Sequence, residues 1–236
     1  DKSVLNGAVQ TSSGEITLNL KNNATWNVGS NYNSSITNLD MDGGIINQYT
    51  DKDITINNYS GTGDINFKAE DTDNNGVLNF ANIGDVSIGS AETGSFVNLG
   101  VSNNTINTLD IEKTEENLNA IANKILYNAN DGNITGKVTI KEGLIMPEAS
   151  GDLLFDQNNI GYVANVKQNS STTTIDNIKN LAATAIVAWR QEDSTLSQRL
   201  GELRESDGGQ GIWVRMSRGE FEYDGEYKNQ YNFFQM

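Results

Sequence analysis

Ser35-Ile36-Thr37-Asn38-Leu39-Asp40-Met41 runs directly into Asp42-Gly43-Gly44 and then Ile45-Ile46. Polar residues space Ile36, Leu39 and Met41, as in a strand with one buried face, and the glycine pair behind them supplies a turn. The unit recurs about every ten residues, the spacing of short strands joined by tight turns. Clusters of the same kind are Ile16-Leu18-Leu20, Trp26-Val28, Ile54-Ile56, Ile65-Phe67, Leu78-Phe80, Val86-Ile88, Val97-Leu99 and Ile106-Leu109-Ile111. Asn22-Asn23, Gly29-Ser30-Asn31, Asn57-Asn58, Gly61-Thr62-Gly63 and Asp73-Asn74-Asn75-Gly76 are the turns expected between them.

Two architectures fit this rhythm. A β-sandwich spaces its strands in this way. So does a β-helix, in which about three short strands make one coil and coils stack into a solenoid. The chain carries 34 Asn, 23 Gly and one Pro. Asparagine tolerates left-handed turn positions and stacks in ladders, which favours the β-helix.

Thr114 to Asn128 breaks the series. Thr114 is placed to cap a helix, Glu115 and Glu116 suit its positive end, and Leu118, Ile121, Ala122, Ile125 and Leu126 form an apolar stripe that Asp131-Gly132 stops. Such a helix is expected to cap the stack and shield an edge that would otherwise recruit strands. The same stripe would serve a partner-binding helix or an ordinary insertion. Strands resume at Gly136-Lys137-Val138-Thr139-Ile140, Asp152-Leu153-Leu154-Phe155 and Gly161-Tyr162-Val163-Ala164-Asn165-Val166.

From Asn169 to Gln210 the period changes. Hydroxyls at Ser170, Ser171, Thr172, Thr173 and Thr174 can accept from the free amides of a helix start. Ile175, Ile178, Ala182, Ala185, Trp189, Leu196, Leu200 and Leu203 follow at helical spacing, and Asp207-Gly208-Gly209 ends the run. Arg190, Glu192, Asp193, Arg199, Glu202 and Arg204 make this helix too polar for lipid. It belongs on a surface or inside a hydrated pore. Gly211-Ile212-Trp213-Val214-Arg215-Met216-Ser217 then alternates, and Tyr227 to Phe234 is a second, aromatic-rich strand of the kind found in outer-membrane barrels.

Composition narrows the functions. The formal net charge is −15, which argues against nucleic acid and anionic membrane surfaces. Cysteine and histidine are absent, so no Ser-His-Asp or Cys-His nucleophile and no His- or Cys-ligated zinc site is expected. All five Arg residues lie at or after Arg190, placing a boundary between two environments near residue 170. No signal-peptide pattern opens the chain and no apolar run reaches about 18 residues, so it reads as part of a larger protein and not as a helical membrane protein.

Leu196-Ser197-Gln198-Arg199-Leu200-Gly201-Glu202-Leu203-Arg204, with Gly211, Trp213 and Arg215 behind it, resembles the pore-spanning helix and first barrel strand of type V autotransporters. Thr25-Trp26-Asn27-Val28 and the stretch from Ser35 to Gly44 resemble, more loosely, coils of autotransporter passengers. The resemblance implies a right-handed parallel β-helix passenger stem over 1–112, a capping helix and autochaperone-like end over 113–169, a pore-spanning linker over 170–209 and a truncated barrel hairpin over 210–236. The autochaperone role falls on Gly136 to Gln168, which would fold first outside the cell and template the coils behind it.

By the same resemblance the partners are the chain's own translocator barrel and the outer-membrane assembly machinery, with an exported passenger at the bacterial cell surface. The displayed tip would be an adhesin or virulence factor. Coils binding host or biofilm glycans or proteins are a second expectation, and self-association through the open hairpin edges a third. Some members of the family cut themselves at an Asn pair within the helix. Ser194-Thr195 stands at that place here, so self-cleavage by that route is not expected.

Asp71, Asp73 and Asn75 match the first half of a calcium loop closed by Gly76, but Asn82 stands where a bidentate Glu would follow. A turn between coils is the simpler reading. Asp51, Asp53, Glu70, Asp71 and Asp73 offer carboxylates for glycoside cleavage, without clustered aromatics to hold a sugar. The expectation is a protein without catalytic residues or a cofactor.

Overall fold

The structure, a computed structural model, describes residues 3–69, 75–101, 109–129, 131–144, 146–205, 215–223 and 227–235. The chain divides into two compact units, Asp1–Thr172 and Thr173–Met236.

The first unit is mostly β. Its strands are β1 (Val4–Gly7), β2 (Thr17–Lys21), β3 (Thr25–Val28), β4 (Ser34–Gln48), β5 (Ile54–Phe67), β6 (Val86–Ala91), β7 (Ser95–Val101), β8 (Ile125–Tyr127), β9 (Ile134–Ile140), β10 (Ala149–Phe155) and β11 (Gly161–Gln168). They form one mixed, open sheet. Pairing is parallel from β1 through β9 and antiparallel for β9–β10–β11. A sandwich of antiparallel hairpins does not give this pattern.

The register repeats. Ser34 faces Ile54, twenty residues on, and Asn38 likewise faces Asn58. β4 and β5 are each paired along two separate lengths: β2 lies on Asn38–Asp42 and β3 on Ile45–Asn47, while β6 lies on the first half of β5 and β7 on the second. Asp42-Gly43-Gly44, Asn57-Asn58 and Gly61-Thr62-Gly63 therefore do not separate strands as expected. They bend single strands of 15 and 14 residues. Thr37-Asn38 and Asn57-Asn58 each break the inward–outward alternation at matching places. Hydrogen bonding continues past each corner because the neighbouring strand bends there too.

Inward residues stack in rows across the register. Trp26, Ile46, Ile65, Leu99 and Val138 make one row, and Ile36, Ile56, Ile88 and Tyr127 another, all at most 1 % exposed. Each is worth ~1.5–3 kcal/mol when fully buried, which an isolated short strand could not gain. The Trp26 indole N–H donates to the Gly7 carbonyl at 2.8 Å, so its polar edge is satisfied inside the core.

The helix α1 (Thr114–Ala122) is shorter than expected. Ile125 and Leu126, assigned by spacing to its apolar stripe, belong to β8, which pairs with β6. Three apolar residues in a row satisfy either period, and the sheet edge decides for strand. Thr114 is not the cap. It lies inside the helix and donates to the Ile111 carbonyl, while Asp110 caps the short 3-10 turn Ile111–Lys113 ahead of it. Ile111 is thus not in a strand, nor are Leu78 and Phe80, which lie outside the named strands. Leu118, Ile121 and Ala122 are buried, as the stripe requires.

The second unit holds α2 (Thr173–Glu205) and an antiparallel hairpin of β12 (Arg215–Tyr223) and β13 (Tyr227–Gln235). With 33 residues α2 is about 50 Å long. Of the apolar face read from the sequence, Ile178 and Trp189 are 62 % and 67 % exposed and Ala182 and Ala185 are exposed too; Leu181 and Ile186, which lie off that face, are also exposed. Periodicity marks a face suited to a partner, but burial needs that partner. The expected stop at Asp207-Gly208-Gly209 lies outside the described residues. Among the described residues no helix is long and apolar enough to cross a membrane.

Candidate binding surface

Because β4, β5 and β6 pair in register, residues twenty or thirty-two apart in sequence stand side by side. Outward polar residues thereby become rows. Asn58 Nδ2 donates to Asn38 Oδ1 at 2.9 Å, Asn38 Nδ2 to Thr17 Oγ1 at 3.3 Å, and Ser90 Oγ to Asn58 Oδ1 at 2.7 Å. A second row runs from Asn66 through Asn47 and Asn27 to Asn6, with donor–acceptor distances of 3.2, 2.8 and 2.7 Å. Asparagine suits both rows because one amide can donate to the strand before it and accept from the strand after it.

The first row lines a groove of about 360 Å³ bounded by Asn38, Asn58, Ser60, Ser90, Ala91 and Glu92. Leu39 and Tyr59 underlie it and are 1 % and 0 % exposed, and the accessible wall combines the amide, hydroxyl and carboxylate groups with a nearly equal share of apolar surface, Ala91 included. The Tyr59 hydroxyl is occupied, donating to the Phe96 carbonyl at 3.0 Å, and burial pushes its phenol well above the usual range. Ser60 Oγ lies 3.3 Å from Asp40 Oδ1, and Asp40 pairs with Lys21 at 3.0 Å. That hydrogen bond, aided by the Asp40 charge, raises the Lys21 ammonium above its ordinary value. The arrangement offers neutral hydrogen bonds along a line.

The residues singled out by sequence are spread elsewhere. Asp71 and Asp73 lie outside the described residues. Asn75 makes a local turn in which its Oδ1 accepts the Val77 amide at 2.9 Å. Asp53 is structural: its amide donates to Asn33 and its carboxylate accepts the Asp85 amide at 2.9 Å, while Asp85 pairs with Lys124. Asp51 pairs with Lys52 at 3.0 Å. Among the described residues, no three acidic, His or Cys side chains gather where they could hold a metal. Leu196, Arg199, Leu200, Gly201, Glu202, Leu203 and Arg204 all fall on α2, Arg215 opens β12, and Gly211 and Trp213 lie outside the described residues.

Sequence reading missed Ser60, Ser90 and Glu92. A twenty-residue self-comparison would have aligned Asn38 with Asn58, but the thirty-two-residue step to Ser90 has no such signal. No family model, curated protein or solved structure matches the chain.

Proposed function

We propose that residues 1–112 form a right-handed parallel β-helix stem closed by a capping helix and autochaperone-like end over 113–169, and that the chain is the C-terminal passenger and translocation segment of a bacterial autotransporter. The observation that carries the reading is the order of elements: parallel strands repeating near twenty residues, an antiparallel end, a long polar helix and an antiparallel hairpin. Strands paired along two lengths and bent at matching corners are what successive turns of a solenoid give. The antiparallel β10 and β11, with α1 against them, would close the stack.

In this reading Gly136–Gln168 is the autochaperone, α2 threads the hydrated pore of the chain's own barrel, and β12–β13 begins that barrel. The polar residues from Arg190 to Arg204 suit water in a pore and not lipid. The passenger stands on the outer membrane at the cell surface, and no catalytic step or cofactor is assigned to it. Deleting Gly136–Gln168 from the full-length protein is expected to abolish surface display of the passenger while the barrel still inserts. Normal display of the deleted form would overturn the reading.

The groove over Asn38, Asn58 and Ser90 favours a second reading, in which the coils themselves adhere to host or biofilm glycans or proteins. Binding by residues 1–168 on glycan and protein arrays supports it, and blank arrays remove it.

A further inference from the structure

We infer that the groove bounded by Asn38, Asn58, Ser60, Ser90 and Glu92 binds a neutral carbohydrate chain laid across three successive strands. The inference rests on the adhesive reading of the coils and gives it a place and a ligand class.

Hydrogen-bonding capacity comes first. A carboxamide has two N–H groups and a carbonyl with two lone pairs. Asn38 and Asn58 each spend one N–H and one lone pair on the row. Each keeps one of both among the described residues. The groove thus repeats a donor beside an acceptor at the strand spacing of ~4.8 Å. A sugar hydroxyl, itself donor and acceptor, matches that pair. The Glu92 carboxylate, without an ion pair among the described residues, can accept from two adjacent hydroxyls of one ring. The volume of about 360 Å³ admits a short segment of such a chain.

Other ligand classes fit worse. Glu92 and Asp40 repel anions, as does a net charge of −15. An added peptide strand has no edge at the centre of the groove, because Asn58 is already paired with Asn38 on one side and Ser90 on the other. A purely apolar ligand would leave the amides, hydroxyls and carboxylate of the wall without partners, whereas a sugar ring also uses the apolar share of the lining. The row of Asn6, Asn27, Asn47 and Asn66 has the same amides but does not line this groove, which makes it the control.

The test uses the purified full chain on an array of neutral and acidic oligosaccharides, with the best neutral hit titrated by calorimetry. Saturable binding of a neutral oligosaccharide is expected. Ser90→Trp, which fills the groove, and Glu92→Leu, which removes its carboxylate, should each weaken binding at least about tenfold. Asn47→Leu should stay within about twofold of the parent. Thermal unfolding identifies the folded variants, and Glu92→Leu decides if Ser90→Trp does not fold. The proposal is overturned if no neutral glycan binds, if only acidic glycans bind, or if folded Glu92→Leu binds as the parent does. Glycan binding untouched by either groove variant would sink this site while leaving adhesion by the coils in place.

Discussion

Asn117 Oδ1 accepts the Leu78 amide at 2.7 Å across 39 residues of chain, and its Nδ2 donates to the Gly76 carbonyl at 2.9 Å. The side chain is fully buried, so it ties α1 to the segment leading into Leu78 without help from water. Asn117→Leu keeps the branched shape, is somewhat bulkier, and leaves the Leu78 amide without this acceptor. A loss of about 1–3 kcal/mol in urea unfolding is expected, the cost of an unsatisfied buried donor. Unchanged stability would mean that α1 is held by its apolar face alone.

The corner at Gly61 makes a sharper prediction. Its φ is +84°, and a Cβ there would run into the Met41 carbonyl oxygen on the neighbouring strand. Gly61→Ala therefore adds a backbone clash to the left-handed penalty of ~1–2 kcal/mol, for a total above that range. Gly14, at φ +92° with nothing within 4 Å of its built Cβ, should show the backbone penalty only. Denaturant melts of the two variants measure the difference, and equal losses would show that adjacent corners are not in tight contact.

Stability should fall at both ends of the pH range through one pair. Burial first, and then the Asp131 carboxylate that its hydroxyl meets, push the Tyr127 phenol from 10.0 up to about 12. The unfolded chain then loses its phenol proton before the folded one, so this group's contribution is complete below pH 10 and lost towards 12. Asp131 shifts the other way. The Tyr127 hydroxyl, and next the Asn133 amide, hold its carboxyl below 3.8. Its contribution is therefore present above pH 3.8 and disappears as pH falls through the lowered value. Tyr127→Phe should flatten both limbs in a series of melting curves. Some alkaline loss will persist, because the Tyr59 phenol is also raised by burial. A variant whose alkaline limb is as steep as the parent's would remove Tyr127 as its cause.

Much of the strand inventory was legible in the alternation of Ile36, Leu39 and Met41 and its echoes at Trp26, Ile65, Val97 and Val138, all of them buried in strands. The reading failed where a local signal had two meanings. Glycine at Gly43 and Gly61 reads locally as the end of a strand, yet it bends one, because a neighbour turning in parallel keeps the hydrogen bonds intact. Ile125 and Leu126 continued a helical stripe on paper, but β6 offers them an unpaired edge. The polar groove was not legible, since its members come from three strands.

What the chain settles by itself is the local vocabulary: which residues face inward, where the backbone takes a left-handed corner, and where the period changes to that of a long polar helix. Those follow from side-chain size, polarity and the freedom of Gly and Asn, which act over a few residues. Only the tertiary structure decides that Asn38, Asn58 and Ser90 share a row and that Asn117 reaches Leu78. Such neighbours are set by parallel register and by the length of the intervening loops, and no local preference carries information about either.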